Sequence, residues 1–144
     1  MAIHYTHTQR APIGAVAAIG TLAGLAALVL PGKLKGIALL GVGGLAYTFS
    51  SMTVRIDDEL IHLRFGDWFP VKHIPLAEVA SYQPTRMTPM SGWGIHFIGG
   101  GWLYNVYGLD AVELTLTNGE KVFIGTDEPE ALRDGIASAR VPVA

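Results

Sequence analysis

The chain has 144 residues, half of them apolar and only 15% charged, with a net charge of −2 and a positive mean hydropathy. That is room for one domain, or for a small domain with an apolar appendage. There is no cysteine, which excludes disulfides, thiol catalysis and most structural zinc sites. All 12 acidic residues follow position 52, together with seven basic ones, so the later part carries a net −5 and the first 52 residues +3. An acidic domain without a basic stripe gives no reason to expect nucleic acid.

Residues 1–10 read as a polar N-terminal tail, in which His4 and His7 are ordinary tail residues. From Ala11 to Leu30 there are twenty residues without a charge, and a second uncharged run covers Gly36 to Met52, with Leu34 extending it. At 1.5 Å per residue the first stretch reaches about 30 Å, the thickness of a bilayer's hydrocarbon core. Pro31-Gly32-Lys33-Leu34-Lys35 breaks the helix and forces an antiparallel return. The expectation is therefore a transmembrane helical hairpin over residues 11–52, with helices at 11–30 and 34–52. A signal peptide is too short to match it, and a buried hairpin would show polar stripes that neither segment has. Arg10, Arg55, Arg64 and Lys72 on one side, against Lys33 and Lys35 in the turn, favour cytoplasmic termini. The abundance of Ala and Gly fits a bacterial source, so the expected location is the bacterial inner membrane, with termini and β domain in the cytoplasm. Gly20 and Gly24 make a G-x-x-x-G pair, which suits close packing of the two helices and leaves homo-oligomerisation open.

At about residue 53 the period changes to two. Val54 and Ile56 alternate with Thr53, Arg55 and Asp57; Ile61, Leu63 and Phe65 alternate with Leu60, His62 and Arg64. Further strands are predicted at Val71–Ile74, Val79–Thr85, Trp93–Ile98 and Trp102–Tyr107. Val112, Leu114 and Leu116 then lead through the turn pair Asn118-Gly119 to Val122 and Ile124. A helix over about 128–140 follows. Asp127 and Glu130 have capping-box spacing, Leu132, Ile136 and Ala139 share a face, and Val141-Pro142 ends it. The pattern predicts about seven antiparallel strands closed by one helix, a β domain over residues 53–144.

Residues 53–140 resemble the bacterial pleckstrin-homology-like domains, in particular the small membrane-anchored ones. The resemblance is carried by Gly92-Trp93-Gly94-Ile95, Tyr104 with Val106 and Gly108, Val112-x-Leu114, Asn118-Gly119 and Ile124-Gly125-Thr126 before Pro129 and Leu132, with Ile74-Pro75-Leu76-x-x-Val79 ahead of them. It implies a two-sheet β barrel capped by the C-terminal helix, commonly joined to transmembrane helices, and no enzymatic activity. Phosphoinositide-binding members of the fold carry Lys and Arg on the first hairpin, whereas Asp57-Asp58-Glu59 and Gly66-Asp67-Trp68 occupy its tips here.

No catalytic constellation emerges. His62 shares a water-facing strand side with Arg64, and His73 and His96 lie on other strands without ligand spacing. No cofactor and no metal is expected. Gly99-Gly100-Gly101 is followed by no helix and accompanied by no G-x-S-x-G elbow, although Ser91 is near; a wide turn explains it. Trp68 and Phe69 sit where a turn favours small or polar residues, and they are the candidate interaction surface. Trp93 and Trp102 lie within strands and read as packing residues. The function expected is a non-enzymatic membrane-anchored scaffold or accessory subunit that contacts another membrane protein or complex. The alternative is a module that reads lipid headgroups at the bilayer.

Overall fold

The computed structural model describes residues 1–140, so the expected helix stop at Val141-Pro142 lies outside the described residues. Among them are nine strands and three α-helices. The order is β1 (Ile3–Arg10), α1 (Ile13–Ala27), α2 (Gly32–Thr48), β2 (Ser51–Asp57), β3 (Leu60–Phe65), β4 (Phe69–Pro75), β5 (Val79–Arg86), β6 (Gly94–Ile98), β7 (Gly101–Asn105), β8 (Asp110–Leu116), β9 (Lys121–Gly125) and α3 (Pro129–Ala139).

The strands form two open sheets, ordered β1-β2-β3-β4 and β5-β8-β9-β7-β6. This corrects the expectation of a single barrel of about seven antiparallel strands. Residues 3–10 add a strand that the pattern does not predict, and β7 runs parallel to β9, pairing Trp102 with Val122 and Leu103 with Phe123. The inner faces meet as read from the alternation. Met52, Val54 and Ile56 face Val112, Leu114, Val122 and Ile124 across a core that also takes in Ile61, Leu63 and Phe65. Each such side chain, fully buried, contributes roughly 1.5–3 kcal/mol. The amphipathic helix α3 lays Leu132 and Ile136 over the open end, packing on β1 and β2 from one sheet and on β5 and β8 from the other. Its first turn is not a capping box. The N-cap is Glu128 without a side-chain cap, because the Asp127 carboxylate is bonded to His7 of β1 instead.

The N-terminal tail is thus corrected to an edge strand. His4, Thr6, Thr8 and Arg10 point to one face, while Tyr5 packs on the core and Gln9 is buried. Its register on β2 runs from Tyr5↔Ile56 to Arg10↔Ser51. His4 reaches Asp58 at 2.9 Å, and His7 reaches Asp127 at 2.6 Å, tying the strand to the β2–β3 turn and to the start of α3.

The helical hairpin is present between residues 11 and 52, but it is not a transmembrane one. None of the helices among the described residues is long and apolar enough to cross a membrane. The helix α1 has 15 residues, about 22 Å, because Leu28–Leu30 do not continue it. The helix α2 has 17 residues, about 26 Å, and its first turn already contains Lys33 and Lys35. Both fall short of a hydrocarbon core of about 30 Å. A multi-pass placement in the inner membrane, and the orientation derived for it, therefore have no spanning element to rest on. What the hairpin does instead is interrupt a β-hairpin. It leaves β1 after Arg10 and returns at β2, and the Ala11 N–H donates to the Ser50 carbonyl at 2.7 Å where the two ends meet.

Candidate functional site

The apolar residues that the core does not absorb collect at one end of the β body. Both helices are apolar on every side, and each buries a single residue, Ala27 and Thr48. Leu22 is 71% exposed and Leu40 80%, and Ile13, Leu25, Ile37 and Leu45 are exposed as well. The whole hairpin carries two charges, Lys33 and Lys35, both beside the connecting turn. Helices that are apolar all round persist in folded proteins when something apolar covers them. An exposed surface of this extent marks an interaction site.

The two glycines proposed for close packing are not at a close approach. A Cβ added to Gly20 would meet nothing within 4 Å, and one at Gly24 would touch Leu39 Cδ2 at 3.9 Å, an ordinary contact. The helices are held at side-chain distance there, with space for at least a methyl group at both positions.

The candidate pair Trp68 and Phe69 stands beside the foot of this hairpin. Trp68 is 64% exposed and Phe69 38%, with ring centroids 5.6 Å apart. Their turn is fixed to the base of α2. The Gly66 N–H donates to the Ser51 carbonyl at 2.9 Å, and the Tyr47 hydroxyl donates to the Asp67 carboxylate at 2.8 Å. That hydrogen bond, and the negative charge behind it, raise the Tyr47 pKa. Gly66 takes φ +57 to make the turn, with the Thr48 backbone close against it.

A second aromatic group lies on the other side of the hairpin, and here the sequence reading is corrected. Trp93 and Trp102 are not packing residues: each is about half exposed, at 50% and 48%. Trp102 and Phe97 do share the inner side of the second sheet with Tyr104 and Ile95, but they lie near its β6 edge and remain exposed. Phe97 stacks edge-on against Trp102, and Trp93 tilts against Tyr107 at 5.5 Å. Between the Trp93–Tyr107 pair and the inner side of the hairpin runs a cleft of about 420 Å³. Ala11, Ala15, Val16 and Ile19 of the first arm and Val42, Leu45 and Ala46 of the second form one wall, facing Trp93, Ile95 and Tyr107. Gln9, buried in β1, donates to the Tyr107 carbonyl at 2.8 Å and holds that wall in place. The flanking aromatics could have been suspected from their density between residues 93 and 107; the cleft itself depends on where the hairpin stands.

The polar residues form no comparable site. His62 and His73 are cross-strand partners on the outer face of the first sheet, with Nδ1 atoms 2.8 Å apart, and His62 Nε2 lies 2.7 Å from Asp57. Arg55 and Arg64 occupy the same face. Burial pushes the Asp57 carboxyl up, but the Glu59 N–H, then His62, then the Leu60 N–H outweigh it and leave its pKa at about 2. His96 bonds the Ser91 carbonyl, which occupies its Nε2. No group of three or more potential metal ligands occurs among the described residues. No protein family, characterised protein or solved structure matches the chain. The class defined by fold and site is a two-sheet β body bearing an apolar helical hairpin inserted between adjacent strands.

Proposed function

We propose that the protein is a non-enzymatic interaction subunit whose apolar hairpin, flanked by aromatic side chains of the β body, docks onto an apolar surface of a membrane protein or complex. The observation that carries this reading is the hairpin itself: two helices apolar on every side, exposing Leu22 and Leu40 almost fully. Burying such side chains against a partner supplies the driving force, and the two lysines at the turn set the polar limit of the contact. Trp68 and Phe69 extend the same end with large rings of the kind enriched at binding hot spots.

The test is copurification with the tagged full chain. Leu22→Gln with Leu40→Gln should abolish recovery of a stoichiometric partner while changing the stability of the β body by less than about 1 kcal/mol, as exposed substitutions do. A native chain that is a monodisperse monomer in plain aqueous buffer would need no cover, and the reading would fail. A homodimer abolished by the same two changes would replace the heterologous partner with a second copy.

A further inference from the structure

We propose that the cleft between the hairpin and the segments before β6 and after β7, which carry Trp93 and Tyr107, is a binding site for one long aliphatic chain, that of a fatty acid. It goes beyond partner docking, because it concerns the inner side of the hairpin rather than its outer surface. A volume of about 420 Å³ lies within the range of small-molecule sites. The walls contain no charged side chain, and Trp93 and Tyr107 carry the only polar side-chain groups in the lining.

Size and polarity together select the occupant. A volume of about 420 Å³ matches a single turn of α-helix, about 10 Å across and 5.4 Å tall, so a partner's helix would place only a small part of its length in the cleft. An extended peptide would bring N–H and C=O groups against a lining with almost nothing to pair them. Water gains few partners along these walls, so displacing it costs little. A hydrocarbon chain has no polar group to satisfy along its length. Ala15 and Ala46 leave the width for it on the helix side, and Ile19, Leu45 and Ile95 offer branched aliphatic contacts. A carboxylate or headgroup would remain outside, since no cation lines the interior.

Tryptophan quenching by dibromostearic acid tests this on the full chain, held in a fluorinated surfactant so that no hydrocarbon chain competes. Trp68→Phe with Trp102→Phe leaves Trp93 as the sole reporter. The expected result is saturable quenching at one ligand per chain, reversed by stearate and not by octanoate. Ala15→Phe with Ala46→Phe should fill the cleft and weaken binding by about tenfold or more. Ala17→Phe, on the exposed side of the same helix and outside the lining, should not. Quenching that rises without saturation, or that survives the double Phe change with helical content intact, would mean mere partition onto the exposed hairpin and would overturn the proposal. Saturable quenching by a native chain that is a monodisperse monomer and copurifies with no partner would overturn the docking reading and leave the cleft standing.

Discussion

The stability of the β body should depend on pH through Asp57 in a window set by its own titration. The carboxylate is buried at the end of β2, and it accepts the backbone N–H groups of Glu59 at 3.0 Å and Leu60 at 2.8 Å together with His62 Nε2 at 2.7 Å. These bonds favour the charged form, and they bring the pKa from the usual carboxylate value of 3.8 to about 2. At roughly 1.4 kcal/mol per unit, the difference amounts to about 2 kcal/mol of folding stability at neutral pH. Because the folded-state value is depressed, the contribution is complete above about pH 4 and is lost as pH falls through about 2. Asp57→Asn keeps an oxygen for the two N–H groups but removes the charge and the partner of His62. Urea unfolding of both chains from pH 7 to pH 2 should therefore show the native protein ahead by about 2 kcal/mol down to pH 4, the gap closing below it. A gap that stays constant through pH 2 would show that the bonds are present but do not depend on ionisation.

Two further changes probe packing. Gly135→Ala should destabilise, because the new methyl would meet Tyr5 Cβ at 2.6 Å; overpacking costs of about 1–3 kcal/mol outweigh the gain of about 1 kcal/mol in helix propensity. Gly44→Ala in α2, with open space around it, should stabilise by up to that gain, and equal melting shifts for the two would contradict the docking of α3 on β1. Trp68→Ser with Phe69→Ser should cost little in a thermal melt, about 1 kcal/mol or less, since neither ring belongs to the core. A loss of several kcal/mol would make the pair structural.

Most of the body was legible because its signals are local. Ile61, Leu63 and Phe65 fix both the period and the inward face of β3, and Asn118-Gly119 fixes a turn in which Gly119 takes φ +88 and the Asn118 side chain accepts the Glu120 N–H. What escaped reading was non-local. The strand β1 alternates Tyr5, His7 and Gln9 with Thr6 and Thr8, too polar for an aliphatic period, and its partner lies across the whole hairpin. The β-branched threonines were the available hint. Gly101 was read as part of a turn. Its lack of a side chain is needed because the Lys121 backbone passes directly over it in the parallel β7–β9 pair, which no local pattern announces. The hairpin misled for a different reason: twenty uncharged residues set an upper bound on helix length, and Pro12 and the Leu28–Leu30 turn shorten the helix inside that bound.

The way the hairpin is rooted bears on how it can act. An appendage on a flexible linker would sample many orientations, and a partner would have to order it on binding, at a cost in affinity. Here α1 and α2 leave and rejoin directly paired strands, with Ala11 bonded to Ser50 and Phe49 stacked on Phe65 of the core at 5.0 Å. Tyr47 is bonded to the turn that carries Trp68. The helices, the aromatic turn and the cleft are therefore set relative to one another before any partner arrives. The side-chain contacts His4–Asp58, His7–Asp127 and Lys121–Glu113 all lie within the β body and are made without the hairpin. Its core takes only Ala11 and Phe49 from the two ends of the hairpin, and the outer residues of the helices contribute nothing to it. An element that the body does not need for its core, yet holds so firmly at its base, is placed to present apolar surface in a fixed direction.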